Sequence, residues 1–258
     1  MDYQNVTYER MNGIGIITLN RPDKGNALSM GLLEEMIGVL ESIKKDREVR
    51  VVIIRSRGRV FSSGHDMSEM IGKEALFYRR LFETCSEVMQ LIRDLPQPVV
   101  AQVQGVATAA GCQLVAACDL AVASEEARFA TPGIKIGLFC STPMVPLSRA
   151  VGRKKSLEML LTGDMIGARE AEQYGLINKV VQPETLEKEV ESLALKIAQA
   201  SSMVVKTGKR AFYSQIEMEE IKAYAYATEV IALHAMAGDA QEGMSAFLEK
   251  RQPIWQEK

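Results

Sequence analysis

The sequence has no long apolar run, no leader pattern and no paired cysteines. Nowhere in its 258 residues does an apolar stretch reach the roughly 20 residues that a membrane helix needs. Its first residues, MDYQNVTYERMNG, contain no apolar signal core and include acidic residues, which transit peptides avoid. None of the four cysteines belongs to a CxxC pair, so free thiols in a reducing compartment are expected. We therefore predict a cytoplasmic protein with no membrane partner.

The sequence also has no large excess of positive or negative charge. Lys and Arg total 31 and Asp and Glu total 33, which gives a formal net charge of −2. No global field therefore recruits nucleic acid or an acidic surface, although local basic clusters can still hold a phosphate-bearing ligand. The histidines and cysteines show no metal-ligand spacing, so no metal site is expected.

The chain does contain β-branched runs that alternate with amphipathic segments. Strands are predicted at Ile14–Leu19, 49–56 and 98–106, with helices after Ser29 and over 75–95. This alternation predicts an α/β fold with mostly buried sheets and crossover connections. From residue 184 onward almost every segment is typical of helix. We therefore predict an α/β core over 1–195 and a helical carboxyl-terminal region over 196–258.

Two strand-to-helix junctions carry small residues that would let a ligand approach the backbone. The first is FSSGHD (61–66), where Asp66 and Glu69 form a capping-box pattern, and the second is GVATAAG (105–111). A helix amino terminus offers unpaired N–H groups and positive potential. If the junctions lie side by side, two backbone donors would aim at one oxygen and form an oxyanion hole. Taken singly, each junction is more typical of an ordinary tight turn than of a ligand site.

Seven short blocks stand in one order along nearly the whole chain. They are RPDKGNALS (21–29), FSSGHDMSEM (61–70), QGVATAAGCQLVAACD (104–119), RAVG (149–152), LTGD (161–164), AEQYGLINKVV (171–181) and GMSAFLEKR (243–251). Together the blocks resemble the crotonase (enoyl-CoA hydratase/isomerase) superfamily. The resemblance implies a crotonase-like spiral of ββα units. It also implies carboxyl-terminal helices that build a homotrimer or a dimer of trimers.

The same resemblance implies an acyl-CoA thioester as the ligand, with coenzyme A as part of the substrate and no permanently bound cofactor. By their positions in the blocks, the backbone N–H groups of His65 and Ala110 would hold the thioester carbonyl. The residues that would contact coenzyme A are Lys24, Ala27, Ser63, Gly64, Asp66 and Met67, with Phe247 and Lys250 reaching the nucleotide of a neighbouring subunit. For Lys250 a second interpretation is a solvated charge on a helix.

Two positions depart from the pattern of the family's hydratases, which carry a glutamate at each. This chain has Gln113 after Gly111-Cys112 and Gly133 after Thr131-Pro132. Gln113 can orient a water but cannot take its proton, and Gly133 has no side chain. Ordinary enoyl-CoA hydration should therefore be slow or absent, and replacing both positions with glutamate should raise it. A bound small anion acting as the base at Gly133 is a further option.

Other groups near the expected thioester leave the function open. Cys140 would be a nucleophile if a base or a positive site lowered its pKa, and otherwise it is a small packed residue. The ring of His65 would either reach the acyl pocket or pack over the coenzyme A channel. We favour an isomerase, hydrolase or lyase with displaced or absent acid–base residues. The alternatives are a non-catalytic acyl-CoA-binding protein and a structural oligomer without ligand, against which the retained junctions argue.

Overall fold

The computed structural model describes residues 3–256 and places ten strands and eleven α-helices among them. The strands are β1 Val6–Met11, β2 Ile14–Leu19, β3 Val51–Ser56, β4 Val60–Ser62, β5 Val99–Val103, β6 Val106–Thr108, β7 Leu120–Ser124, β8 Arg128–Ala130, β9 Ile166–Gly167 and β10 Lys179–Val181. The helices are α1 Met30–Lys45, α2 Met67–Met70, α3 Ala75–Asp94, α4 Ala110–Ala117, α5 Met144–Val151, α6 Arg153–Thr162, α7 Ala168–Gln173, α8 Leu186–Ala198, α9 Ser202–Gln215, α10 Glu220–Met236 and α11 Gly238–Glu249. Short 3-10 helices cover Pro22–Lys24, Pro132–Ile136 and Pro183–Thr185.

Successive ββα units distribute their strands between two sheets. The first strand of each unit joins a six-stranded sheet of order β1-β2-β3-β5-β7-β10, and the second joins a four-stranded sheet of order β4-β6-β8-β9. Neighbours among β3, β5 and β7 run parallel, as do neighbours among β4, β6 and β8. The predicted α/β spiral of ββα units is therefore confirmed.

Hydrophobic periodicity explains why the predicted elements form where they do. Strand β2 is buried along its whole length, as expected of a strand covered on both faces. Helix α1 begins at the Ser29 cap, whose hydroxyl accepts a hydrogen bond from the Leu32 N–H at 3.2 Å. Its buried stripe at helical spacing faces the core and consists of Leu32, Leu33, Met36, Val39, Leu40 and Ile43.

A buried ion pair fastens the carboxyl-terminal helices to the core. Lys209 on α9 places its Nζ 2.7 Å from Asp119 Oδ2, and both side chains are largely buried. The same ammonium donates to the carbonyls of Ile92 and Gln97, while the Tyr213 hydroxyl donates to Asp119 Oδ1 at 2.8 Å. Burial lowers the pKa of Lys209 and raises that of Tyr213. Asp119, which directly precedes β7, therefore anchors α9 to the core.

Helices α9 and α10 have no fully buried residue in the single chain. Large apolar side chains such as Ile221, Tyr224 and Ile231 are mostly exposed on α10. The predicted boundary at residue 195 lies in the last turn of α8, a helix that packs on the large sheet, and the boundary stays a prediction. No helix within residues 3–256 is long and apolar enough to cross a membrane.

Two local predictions were wrong. The strand expected over 98–106 is two strands, β5 and β6, which separate at residues 104–105 and enter different sheets. The capping box at α2 is only half formed. Asp66 accepts from the Ser68 N–H, but the Glu69 carboxylate accepts from the Met30 N–H at 2.9 Å and so holds the start of α1.

Candidate functional site

The small sheet gathers three junctions at one edge. Strands β4, β6 and β8 are parallel and adjacent, so their carboxyl ends meet on the same side. The chain leaves β4 toward His65, β6 toward Ala110 and β8 toward Gly133. This edge therefore collects the predicted backbone donors and Gly133, where the resemblance implies a glutamate, and the carboxyl ends of parallel strands are where ligands bind in open sheets.

The first two junctions are in contact. Gly64 has φ of +95°, and a Cβ at this position would lie 2.9 Å from Ala109 Cβ and 3.4 Å from Ala110 N. Only glycine combines this backbone conformation with so close an approach. Among the described residues, neither the His65 N–H nor the Ala110 N–H donates a hydrogen bond. Two unpaired backbone donors therefore stand at adjoining junctions.

Backbone strain accompanies the second donor. Ala109 has φ of +50° and ψ of −118°, a conformation that favours glycine, and its own N–H donates to the Ala130 carbonyl at 2.9 Å. The residue thereby ties β8 to the start of α4. Strained non-glycine residues persist only where the surrounding structure fixes them, at a cost of about 1–3 kcal/mol, and they cluster at functional sites.

Backbone hydrogen bonds between the loops over 21–28 and 63–66 hold the first donor, the His65 N–H, in place. The Leu28 N–H donates to the Gly64 carbonyl at 2.7 Å, and the Ser63 N–H donates to the Gly25 carbonyl at 3.0 Å. Arg21 reaches across the same loops, donating to the Ala27 carbonyl and lying 2.9 Å from Asp66 Oδ2. Hydrogen bonds with Ser68 and Arg21 lower the pKa of Asp66, so this carboxylate stays ionised.

Sequence reasoning missed Arg21 and Asn26 as parts of this site. Asn26 is fully buried with φ of +51°; its amide donates to the carbonyls of Arg57 and Val60 and its oxygen accepts from the Arg21 N–H. The signal available was an asparagine after glycine, since asparagine tolerates the left-handed conformation. Both residues fix the loop that the first donor depends on.

The structure brings most of the predicted coenzyme A contacts together. Ala27, Ser63, Gly64 and Asp66 lie in the two hydrogen-bonded loops over 21–28 and 63–66, where Gly64 is buried and Ser63 is exposed. Lys24, at the end of the 3-10 helix in the first loop, and Met67, the first residue of α2, flank them, and both are exposed. Their role toward coenzyme A stays a prediction.

Phe247 and Lys250 are not brought to these loops by the single chain. Both lie at the end of α11, a helix that packs against α9 and α10. Phe247 is 83% exposed, and Lys250 takes a left-handed conformation as the C-cap. Contact with a neighbouring subunit's nucleotide therefore stays a prediction.

The His65 ring is neutral and packed. Its Nδ1 lies 3.3 Å from the Leu28 carbonyl, which can only accept, so the proton sits on Nδ1. The ring meets Phe82 edge-on at 5.3 Å, and burial lowers the pKa of the imidazole. Its Nε2 is buried without a hydrogen-bond partner among the described residues. A neutral acceptor with an unused lone pair is the result.

Gln113 and Thr131 also leave buried oxygens unpaired within residues 3–256. Gln113 Oε1 lies in the first turn of α4, and Thr131 Oγ1 follows β8 directly. A buried polar atom without a partner costs about 1–3 kcal/mol, so each is expected to meet a water or ligand. Gln113 thus keeps the polar character of its position without an ionisable proton.

Position 133 has no room for a side chain in this conformation. A Cβ on Gly133 would lie 2.0 Å from the Leu138 carbonyl oxygen and 2.8 Å from Cys140 Sγ. The Leu138 N–H donates to the Gly133 carbonyl at 2.9 Å and closes the turn. A glutamate restored here would meet backbone in its path, so the predicted gain in hydration now depends on movement of the Leu138 loop.

Cys140 lacks the environment of a nucleophile. Its thiol is nearly buried, and burial raises its pKa, which a hydrogen bond with the Gly133 backbone offsets only in part. A thiolate needs the opposite shift. The packing interpretation fits better. The described residues also contain no group of three or more His, Cys, Asp or Glu side chains that could hold a metal ion.

Comparison with known proteins adds an independent line of observation. The enoyl-CoA hydratase/isomerase family model matches residues 9–258. A rat protein named enoyl-CoA hydratase domain-containing protein 3, mitochondrial, is 49% identical over 247 residues, which are 95% of this chain and 82% of the relative.

Solved structures agree at the level of the whole fold. An enoyl-CoA hydratase of Mycobacterium smegmatis has a TM-score of 0.96 and 46% identity, covering 98% of this chain and 99% of that one. Human enoyl-CoA hydratase domain-containing protein 3 has a TM-score of 0.95 and 45% identity, covering 98% and 100%. Similarity of this extent covers the spiral and the helical region alike.

Proposed function

The chain belongs to the enoyl-CoA hydratase/isomerase family, and from that membership we propose that it binds CoA thioesters through a backbone oxyanion hole and acts on them without being an efficient hydratase. The His65 and Ala110 N–H groups are the proposed donors. The observation that carries the proposal is the contact between the two junctions at Gly64, with both donors unpaired among the described residues.

Such a hole stabilises negative charge on the thioester oxygen as an enolate or tetrahedral species forms. Loss of one donor of this kind typically costs about 10²–10³ in rate, so the pair can supply a large share of a barrier. Coenzyme A is part of the substrate in this proposal. The Arg21–Asp66 pair and Asn26 would preorganise the first donor, and the strained Ala109 would aim the second.

Hydration needs more than charge stabilisation. A water must be deprotonated and the Cα protonated, and a positioned acid or base contributes about two to four orders of magnitude. Gln113 ionises at no accessible pH, and the Gly133 side is filled by the Leu138 carbonyl. We therefore expect this chain to hydrate crotonyl-CoA far more slowly than a family member that carries the glutamates.

Calorimetry and a hydration assay test the two halves of the proposal separately. Titration with acetyl-, acetoacetyl- and crotonyl-CoA should give measurable heat with at least one, whereas free coenzyme A should bind more weakly than a thioester. Loss of crotonyl-CoA absorbance should be undetectable or very slow. The ligand proposal would fail if no thioester bound at millimolar concentration, and rapid hydration would overturn the inactive-hydratase half.

A second candidate, a non-catalytic acyl-CoA-binding protein, is favoured by the packing at Gly133. A binding protein needs the junctions but not an open acid–base position, and here that position is occupied by backbone. Exchange of the thioester's α-protons with deuterated water discriminates between the candidates. Exchange above the solution rate supports the enzyme, and tight binding without exchange, hydrolysis or isomerisation supports the binding protein.

Assembly and location are part of the same proposal. The exposed apolar side chains of α10 and α11 support a homotrimer or a dimer of trimers as in the sequence-based expectation. The cytoplasmic location also stays a prediction, since the rat relative's name describes that protein as mitochondrial. Cell fractionation with a tagged full-length chain would decide between the two compartments.

A further inference from the structure

A groove of about 770 Å³ runs along helix α4, away from the junctions. It begins at Gln113 in the first turn of α4 and continues past Cys118 at the helix end, and its outer walls come from α3, α5 and α9. Because α4 has eight residues, the path from its amino terminus to its end is about 12 Å. Gln113 is therefore the lining residue nearest in the chain to the junctions, less than one helical turn after Ala110.

The apolar part of the lining is suited to an alkyl chain. Met89, Val115, Val145 and Ile216 form it, and Val145 and Ile216 are about half exposed in the single chain. Gln113 also belongs to the lining, and its Oε1 is buried without a hydrogen-bond partner among the described residues. An apolar passage that opens beside an unsatisfied amide is typical of a ligand pocket.

The outer end carries two guanidinium groups that share one carboxylate. Arg93 lies 4.0 Å and Arg149 lies 3.5 Å from Glu217 Oε1, and all three side chains are roughly half exposed. Long, exposed pairs of this kind contribute little to stability. The fourth charged group in the lining, Asp119, is already compensated by Lys209. One positive charge therefore stays uncompensated where the groove opens.

We propose that the groove binds the distal part of an acyl chain that ends in a carboxylate, so that the preferred ligands are ω-carboxyacyl-CoA thioesters. This inference rests on the proposed function, since the thioester must be held at the junctions for its chain to enter beside Gln113. The terminal carboxylate would accept charge-assisted hydrogen bonds from Arg93 and Arg149, which are stronger than those between neutral groups.

Octanoyl-CoA and suberyl-CoA form a matched pair of probes, since their chains have equal length and differ in the terminal carboxylate. With the full-length protein, suberyl-CoA should bind at least tenfold more tightly by calorimetry. The double substitution Arg93→Gln/Arg149→Gln should abolish this preference. Glu217→Gln should increase it, because both guanidinium groups lose their competing partner. Octanoyl-CoA affinity should respond little to either change.

Val145→Trp tests where the chain lies. It should weaken octanoyl- and suberyl-CoA but leave acetyl-CoA unchanged, since a short acyl group ends before the groove. Circular dichroism melting shows whether each variant is folded, and Val145→Phe serves as a second blocking variant.

The possible failures are distinguishable. Equal binding of the two long thioesters, or a preference that survives the double arginine substitution, would overturn the carboxylate assignment. Binding of acetyl-CoA without either long thioester would overturn the groove proposal and leave the proposed function standing. If no thioester binds at all, both proposals fail.

Discussion

Substituting Gly133 with alanine tests how tightly the turn after β8 packs on the loop that follows it. The new Cβ would start 2.0 Å from the Leu138 carbonyl oxygen and 2.8 Å from Cys140 Sγ. Carbon atoms do not approach so closely, so the carbonyl must retreat until the distance exceeds 3.0 Å. That movement pulls on the hydrogen bond from the Leu138 N–H to the Gly133 carbonyl.

The expected cost follows from this geometry. Overpacking that forces backbone shifts costs about 1–3 kcal/mol. An alanine also restricts the unfolded chain, which offsets about 0.4–1 kcal/mol where its conformation is allowed. For a chain of this size, each kcal/mol shifts Tm by about 2–4 °C, so a net loss near 1–2 kcal/mol lowers Tm by about 2–8 °C.

Circular dichroism melting at fixed protein concentration measures the change, and Gly208→Ala is the matched control. Gly208 lies within α9, and a Cβ there would meet nothing within 4 Å. Its substitution should raise stability by up to about 1 kcal/mol, because alanine favours helix more than glycine does. The two Gly→Ala changes should therefore shift Tm in opposite directions.

The same obstruction governs any attempt to restore hydration. Gln113→Glu/Gly133→Glu should lower Tm and leave crotonyl-CoA hydration low, because the second carboxylate cannot occupy its place until the loop has moved. A Gly133→Ala variant as stable as the wild type, or a double variant with vigorous hydration, would refute this reasoning. Either result would show that the Leu138 loop yields at little cost.

Three other predictions concern the core, the site and the assembly. Lys209→Met should destabilise the protein by about 3 kcal/mol in denaturant titration, since Asp119 is left largely buried without its cation, whereas Lys179→Met removes an exposed pair and should cost under about 1 kcal/mol. Burial lowers the pKa of His65 from 6.5, so just below pH 6.5 the unfolded chain binds more protons than the folded chain. The free energy of unfolding should therefore fall as the pH drops below 6.5. A smaller fall in the His65→Gln variant supports the lowered pKa, and a pH profile equal to that of the wild type contradicts it. Light scattering should report a trimer or hexamer, because α10 has no buried residue in the single chain, and a stable monomer would contradict this.

Elements with a strong local signal could be predicted from the sequence. Strand β2 and helix α3 begin where the pattern placed them, because hydrophobic periodicity acts within a few residues, and α3 ends just before Pro96, whose ring cannot continue a helix. The adjacency of the two junctions could also be anticipated, since each follows a strand and enters a helix. That the two junctions are adjacent was shown only by the register of β4 and β6, which pairs residues about 45 positions apart in the chain.

Long-range contacts account for what the sequence did not predict. Glu69 looked like the partner of its own helix cap, yet its carboxylate binds the Met30 N–H because α1 starts beside α2. Asp119 ends one of the seven sequence blocks, and only the fold shows it paired with Lys209, 90 positions later. Local patterns contain no information about which distant group will arrive at a side chain.

The changes at Gly133 and in the loop over 137–140 form one structural unit. A glycine at 133 is what lets the Leu138 carbonyl and the Cys140 thiol approach, and that approach in turn excludes any larger residue. Position 133, where the family resemblance implies a glutamate, is therefore filled by backbone and is not an empty space. Gln113, in contrast, places a buried amide in the lining of the α4 groove. If the proposed function holds, position 133 is closed and position 113 remains a polar contact, and we expect selectivity to come from how the acyl chain is held rather than from activation of a water.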